Sequence, residues 1–115
     1  MIRTNLEIYR GDDKTWNLTF RDSTGDSIDI TGSTVWLTVK SSISDPDESA
    51  LIQKQVTTHS NPTQGETQIS LLPVDTSDVS VGRYEYDMQL IESSGKITTF
   101  MRGVFSISQD ITIST

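Results

Sequence analysis

Over short stretches of this chain, apolar residues recur at every second position with polar ones between them, the periodicity of strands that bury one face. Leu6 and Ile8 alternate within Thr4 to Tyr9; after a Gly11-Asp12-Asp13 turn, Trp16, Leu18 and Phe20 alternate within Lys14 to Arg21. Ile28 and Ile30 resume the pattern beyond the turn-rich Asp22 to Asp26, which predicts a short strand or an extended arm. Thr34 to Lys40 sets Val35, Leu37 and Val39 against Trp36, Thr38 and Lys40. Asp45-Pro46-Asp47 breaks the chain before Leu51 to Val56, read as an edge strand, and a loop through Asn61-Pro62 and Gly65 leads to Thr67, Ile69 and Leu71. Pro73 to Asp78 reads as one helical turn at a corner between sheets, because proline is tolerated in a first turn and acids favour a helix N-terminus. The clearest alternation follows, with Tyr84, Tyr86, Met88 and Leu90 on one face and Glu85, Asp87 and Gln89 on the other. A hairpin at Glu92 to Lys96 turns the chain back. Ile97, Thr99, Met101, Phe105 and Ile107 then keep the inner face at odd positions, with Gly103 a bulge or close-approach site.

About seven or eight strands at this spacing predict an all-β, immunoglobulin-like antiparallel β-sandwich. One domain, 1–115, accounts for the length, with 110–115 as an extended C-terminal tail. Composition agrees. Ala50 is the sole alanine, so the usual material of helices is missing, while serine and threonine fill the outward positions. The run Asp78-Val79-Ser80-Val81-Gly82-Arg83-Tyr84-Glu85-Tyr86 has the form of a tyrosine corner, with Tyr84 in the corner role and Tyr86 in the core position where antibody domains keep a cysteine.

Charge and chemistry narrow the function classes. Nine Lys and Arg against 16 Asp and Glu give a net charge of −7, which argues against nucleic-acid binding. No apolar run approaches a membrane span, and the start lacks a signal-peptide core. Cysteine is absent, removing disulfides and thiolate chemistry. The single histidine, His59, lies in a loop and is read as a neutral surface residue; glycines occur singly, so there is no phosphate-cradling loop. Most carboxylate pairs fall in turns, where aspartate satisfies backbone N–H groups. Asp22, Asp26 and Asp29, grouped around Gly25, form the one candidate metal loop, and their spacing does not match an EF-hand. The expectation is a protein without catalytic residues or cofactor, acting by surface recognition.

Strand parity supplies the candidate surface. If Thr34 to Lys40 and the last two strands share a sheet, Trp36, Phe100 and Val104 project from its outer face, and exposed large apolar groups on one face mark an interface. Ile111 and Ile113 in the Thr/Ile-rich tail are candidates for strand addition to a neighbour. A sugar stacking on Trp16 or Trp36 is the alternative use of such surfaces.

The ordered set Ile8-Tyr9-Arg10-Gly11-Asp12-Asp13, Leu18-Thr19-Phe20-Arg21-Asp22, Gly25 to Gly32, Thr34 to Lys40, Leu71 to Thr76, Gly82 to Leu90, Gly95-Lys96 and Arg102-Gly103-Val104-Phe105 resembles the N-terminal module of phage baseplate upper proteins, from about Ile8 to Ile107. The resemblance implies an Ig-like building block of a virion that attaches a peripheral element to the tail. Its expected partners are other virion proteins, with a trimer or hexamer suiting tail symmetry and with no nucleic acid or membrane involved. In that family the module begins a longer chain with oligomerising and receptor-binder-holding parts. The 115 residues match the module alone, which leaves open a small virion protein or an excised domain.

Overall fold

A computed structural model of the chain describes residues 2–42 and 44–109. Its strands are β1 (Ile2–Arg3), β2 (Leu6–Tyr9), β3 (Lys14–Thr19), β4 (Thr34–Lys40), β5 (Ile52–Val56), β6 (Glu66–Leu71), β7 (Gly82–Ile91) and β8 (Ile97–Ser108), with α1 (Pro73–Ser77) between β6 and β7. The fold is all-β. A six-stranded sheet runs β1-β8-β7-β4-β5, with β2 also on β8, and packs against a two-stranded sheet of β3 and β6.

One hydrophobic core fills the space between the sheets. Leu18, Ile69 and Leu71 from the small sheet meet Val35, Leu37, Val39, Tyr86, Met88, Leu90, Phe105 and Ile107 from the large one. The inward sets of β4, β6 and β7 are those the alternation predicts. The residues around Ile28 and Ile30 form the arm rather than a strand: Ile28 N–H donates to Phe20 O and Ile30 N–H to Pro62 O, and Ile30 is buried. At α1 the Asp75 carboxylate accepts from Leu72 N–H (2.7 Å) and pairs with Lys54 of β5 (3.0 Å), tying the corner between the sheets to the far strand. The corner tyrosine is also in place, with the Tyr84 hydroxyl donating to the Ser80 carbonyl.

Two departures from the expected antiparallel pattern shape everything downstream. First, the N-terminal segment pairs parallel with β8, at Ile2↔Met101 and Arg3↔Arg102 in β1 and at Leu6↔Phe105 to Tyr9↔Ser108 in β2. The large sheet is therefore mixed. Between the two pieces the chain kinks at Thr4-Asn5 over Gly103, where a β-carbon would lie 2.1 Å from Thr4 O. Gly103 is thus the close-approach site. The Thr4 carbonyl takes the space a side chain would have filled, and Tyr86, the cross-strand partner of Gly103, donates its hydroxyl to Thr4 O at 2.6 Å. Second, the β7–β8 register shifts between Met88 and Gln89, so the bulge falls at Phe100.

The bulge corrects the parity of the first part of β8. Thr99 pairs with outward Gln89 and Thr98 with inward Leu90, so Ile97 and Thr99 face outward and Ile97 is 60% exposed. Phe100 turns inward instead, edge-on to Phe20 with ring centroids 4.7 Å apart. A second core aromatic across from β3 outweighs the regular ladder at that point.

Tyr86 is 4% exposed, and burial pushes its hydroxyl up to about 12. Only the protonated phenol can donate to Thr4, and an unfolded tyrosine titrates near 10, so this stabilisation is whole below about pH 10 and is lost as pH rises towards 12. Alkaline denaturation of the native chain should show this loss. Tyr86→Phe should start less stable at neutral pH and lack that part of the alkaline fall.

Candidate functional site

The outer face of the large sheet carries the candidate surface, and cross-strand register places its side chains in rows. One row runs Gln55, Trp36, Gln89, Thr99, with Gln89 Nε2 donating to Thr99 Oγ1 at 3.3 Å. The next holds Gln53, Thr38, Asp87, Arg102 and Arg3, and the one beyond it Lys40, Glu85 and Val104. Trp36 and Val104 both lie on this face and are half-buried. They do not form one apolar patch: two rows and two strands put them roughly 17 Å apart, with Asp87, Glu85 and Arg102 between. Phe100, expected beside them, is partly buried and packs against the core from the inner side, for the reason given above. Ile111 and Ile113 fall outside the described residues. Trp16, the other candidate for stacking on a sugar, is partly buried against the core and lies edge-on to Phe105 with centroids 6.0 Å apart.

The face differs in charge from the rest of the chain. Arg3, Lys40, Arg83 and Arg102 stand against Glu7, Glu85 and Asp87, four of nine basic residues with three of 16 acidic ones. The strong negative balance of the protein therefore resides elsewhere.

At the N-terminal edge of this face the Thr4-Asn5 kink opens a cleft of about 610 Å³ lined by Arg3, Thr4, Asn5, Glu85, Arg102, Gly103 and Val104. Three hydrogen bonds hold the kink: Thr4 N–H to Arg102 O (3.1 Å), Tyr86 hydroxyl to Thr4 O (2.6 Å) and Val104 N–H to Asn5 Oδ1 (3.1 Å). Sequence reasoning missed this group. Its only advance signal was Gly103, which marks a close approach without saying which segment approaches.

The candidate metal loop turns inward on itself. Asp22 Oδ1 accepts from Thr24 N–H (2.9 Å), Asp26 N–H (3.0 Å) and the Thr24 hydroxyl (2.6 Å), while Asp29 Oδ1 accepts from Thr31 N–H (2.9 Å) and its hydroxyl (2.6 Å). The Thr24 and Thr31 hydroxyl bonds, reinforced by backbone N–H groups, hold the Asp22 and Asp29 carboxyls below the usual carboxylate range. Asp26 receives a longer bond from Thr24. These are aspartate turns that serve their own backbone. Among the described residues, no group of three or more His, Cys, Asp or Glu is placed to hold a metal ion.

His59 is not the free surface residue the loop composition predicts. Its Nε2 lies 2.7 Å from Ser33 O and its Nδ1 2.8 Å from Thr67 Oγ1, and both partner residues are buried. A carbonyl can only accept, so Nε2 donates to Ser33 O, while Nδ1 shares its hydrogen bond with the Thr67 hydroxyl. Both nitrogens are thus spent on tying the β5–β6 loop to the start of β4. His59→Ala should cost about 1–3 kcal/mol through the two stranded buried groups. Urea denaturation measures the loss, and adding Thr67→Val to that variant should cost little more, since the hydroxyl's partner is already gone.

No helix among the described residues is long and apolar enough to cross a membrane. Compared with protein-family models and with curated proteins, the sequence matches none.

Proposed function

We propose that the chain is a non-catalytic structural adaptor of a phage virion, a tail or baseplate component that joins one protein to another through the outer face of its large sheet. The observation that carries this reading is the make-up of that face: half-buried Trp36 with Arg3, Arg83 and Arg102 on one side of the sheet, the residue types that anchor protein interfaces. The ordered likeness to the baseplate upper module supplies the virion context. Repetition on a symmetric particle, with the chain itself a trimer or hexamer, would give avidity that one small contact lacks.

Mass spectrometry of purified virions from the phage or prophage that encodes the chain is the direct test, and absence of the chain from particles removes the reading. Within it, Trp36→Ser and Val104→Ser should leave stability within about 1 kcal/mol of the native value, as for surface positions, and reduce attachment to the particle. Unaltered attachment in both folded variants eliminates the proposed face. Light scattering after size exclusion gives the oligomeric state.

A second reading, a carbohydrate-binding or host-adhesion module, draws on Trp36 flanked in register by the amides of Gln55 and Gln89. Glycan-array binding with quenching of tryptophan fluorescence, lost in Trp36→Ser, would favour it.

A further inference from the structure

We propose that the cleft beside the Thr4-Asn5 kink is a carboxylate-recognition site, built to take a glutamate or aspartate side chain of a partner protein. Parallel pairing sets Arg3 and Arg102 side by side on the outer face, about 4.8 Å apart along the sheet. Like charges in register repel. The two stand together in a chain with nearly twice as many acids as bases. Asp87 faces Arg102 in register but does not line the cleft.

Asn5 supplies a third donor. Its Oδ1 is committed to Val104 N–H, which fixes the amide orientation and leaves the Nδ2 hydrogens for the cleft that the residue lines. Two guanidiniums and an amide N–H₂ around one concavity match the oxygens of a carboxylate. Glu85, on the opposite wall, accepts hydrogen bonds and carries negative charge. It disfavours a dense polyanion such as a phosphate ester, and it suits a peptide that offers a backbone N–H or a cation next to its acid. Gly103 admits the kink that walls the cleft, since a β-carbon there would lie 2.1 Å from Thr4 O.

This proposal rests on the attachment reading only in making a protein the carrier of the acid. The test is an NMR titration of the full chain with three probes: the acetylated, amidated tripeptide Gly-Glu-Gly, its Gly-Gln-Gly counterpart and inorganic phosphate. The Glu peptide should shift the Val104 backbone N–H and the Asn5 side-chain N–H₂ saturably, while the Gln peptide should not. Arg3→Gln and Arg102→Gln should each weaken binding roughly tenfold or more, and added salt should weaken it in the native chain. Both variants leave the Val104–Asn5 bond in place, so an unchanged Val104 signal in the free protein certifies the fold.

Equal response to the Gln peptide, or undiminished binding in both folded arginine variants, overturns the site. Phosphate binding more tightly than the Glu peptide overturns the protein carrier in favour of a phosphate ligand. Peptide recognition by a chain absent from virions retains the cleft and removes the virion reading; a virion chain without peptide response does the reverse.

Discussion

Replacing Gly103 with alanine is expected to destabilise the fold by about 2–5 kcal/mol, from overpacking and from loss of the Tyr86–Thr4 hydrogen bond together. The added β-carbon would lie 2.1 Å from Thr4 O and 2.9 Å from Thr4 C, and both are backbone atoms, so no side-chain rotation relieves the overlap. Either β1 lifts off β8 or the β7–β8 ladder distorts. Chemical denaturation of four chains separates these origins: native and Gly103→Ala, each with and without residues 1–5. If the approach of Thr4 causes the loss, the alanine should cost little in the truncated background. An equal cost in both backgrounds would place the strain within β8 itself.

Phe105→Ala should cost about 3–5 kcal/mol, a large fraction of the stability a domain of this size commands. Phe105 is fully buried at the centre of the core, edge-on to Trp16 at 6.0 Å from the small sheet and to Tyr86 at 6.1 Å from its own. It is the ring through which the two sheets share an aromatic cluster, and removing it leaves a cavity that neither neighbour can fill without leaving its place. The comparison with Trp36→Ser makes the measurement decisive. A larger aromatic lost from the half-buried outer face should cost no more than about 1 kcal/mol, so similar midpoints for the two variants would mean that Phe105 is not the more deeply buried ring.

Both predictions concern β8, and β8 is where sequence and structure part. In β4 and β7 the alternation identified every inward residue, because both strands are central in the sheet, pair on both sides and bury one complete face. In β8 the same alternation ran from Ile97 to Ile107 without a break and was misleading over its first part. What reversed Ile97 and Thr99 was the contact of Phe100 with Phe20, a residue 80 positions away that follows β3 of the other sheet. His59 shows the same limit. A Thr-Thr-His-Ser loop reads as solvated until the fold brings Ser33 O and Thr67 Oγ1 to its two ring nitrogens.

The candidate surface was legible in part. Trp36 and Val104 were placed correctly on the outer face by parity alone. Arg3, Asn5 and Arg102 were not, since the first two lie in a segment too short to show a period. Their role depends on a strand pairing that joins residues 99 positions apart.

Sequence alone determined the all-β class, the position of nearly every strand, the helical corner and the tyrosine that locks it, because each follows from a period of two or from residues a few positions apart. Only the tertiary structure decided that the N-terminal strand runs parallel to β8, that the bulge falls at Phe100, and that Arg3 and Arg102 stand together over Gly103. Alternation records which side of a strand is buried. The choice of neighbour, its direction and the local register are set by packing between distant segments, and that choice put two of an acidic chain's five arginines side by side.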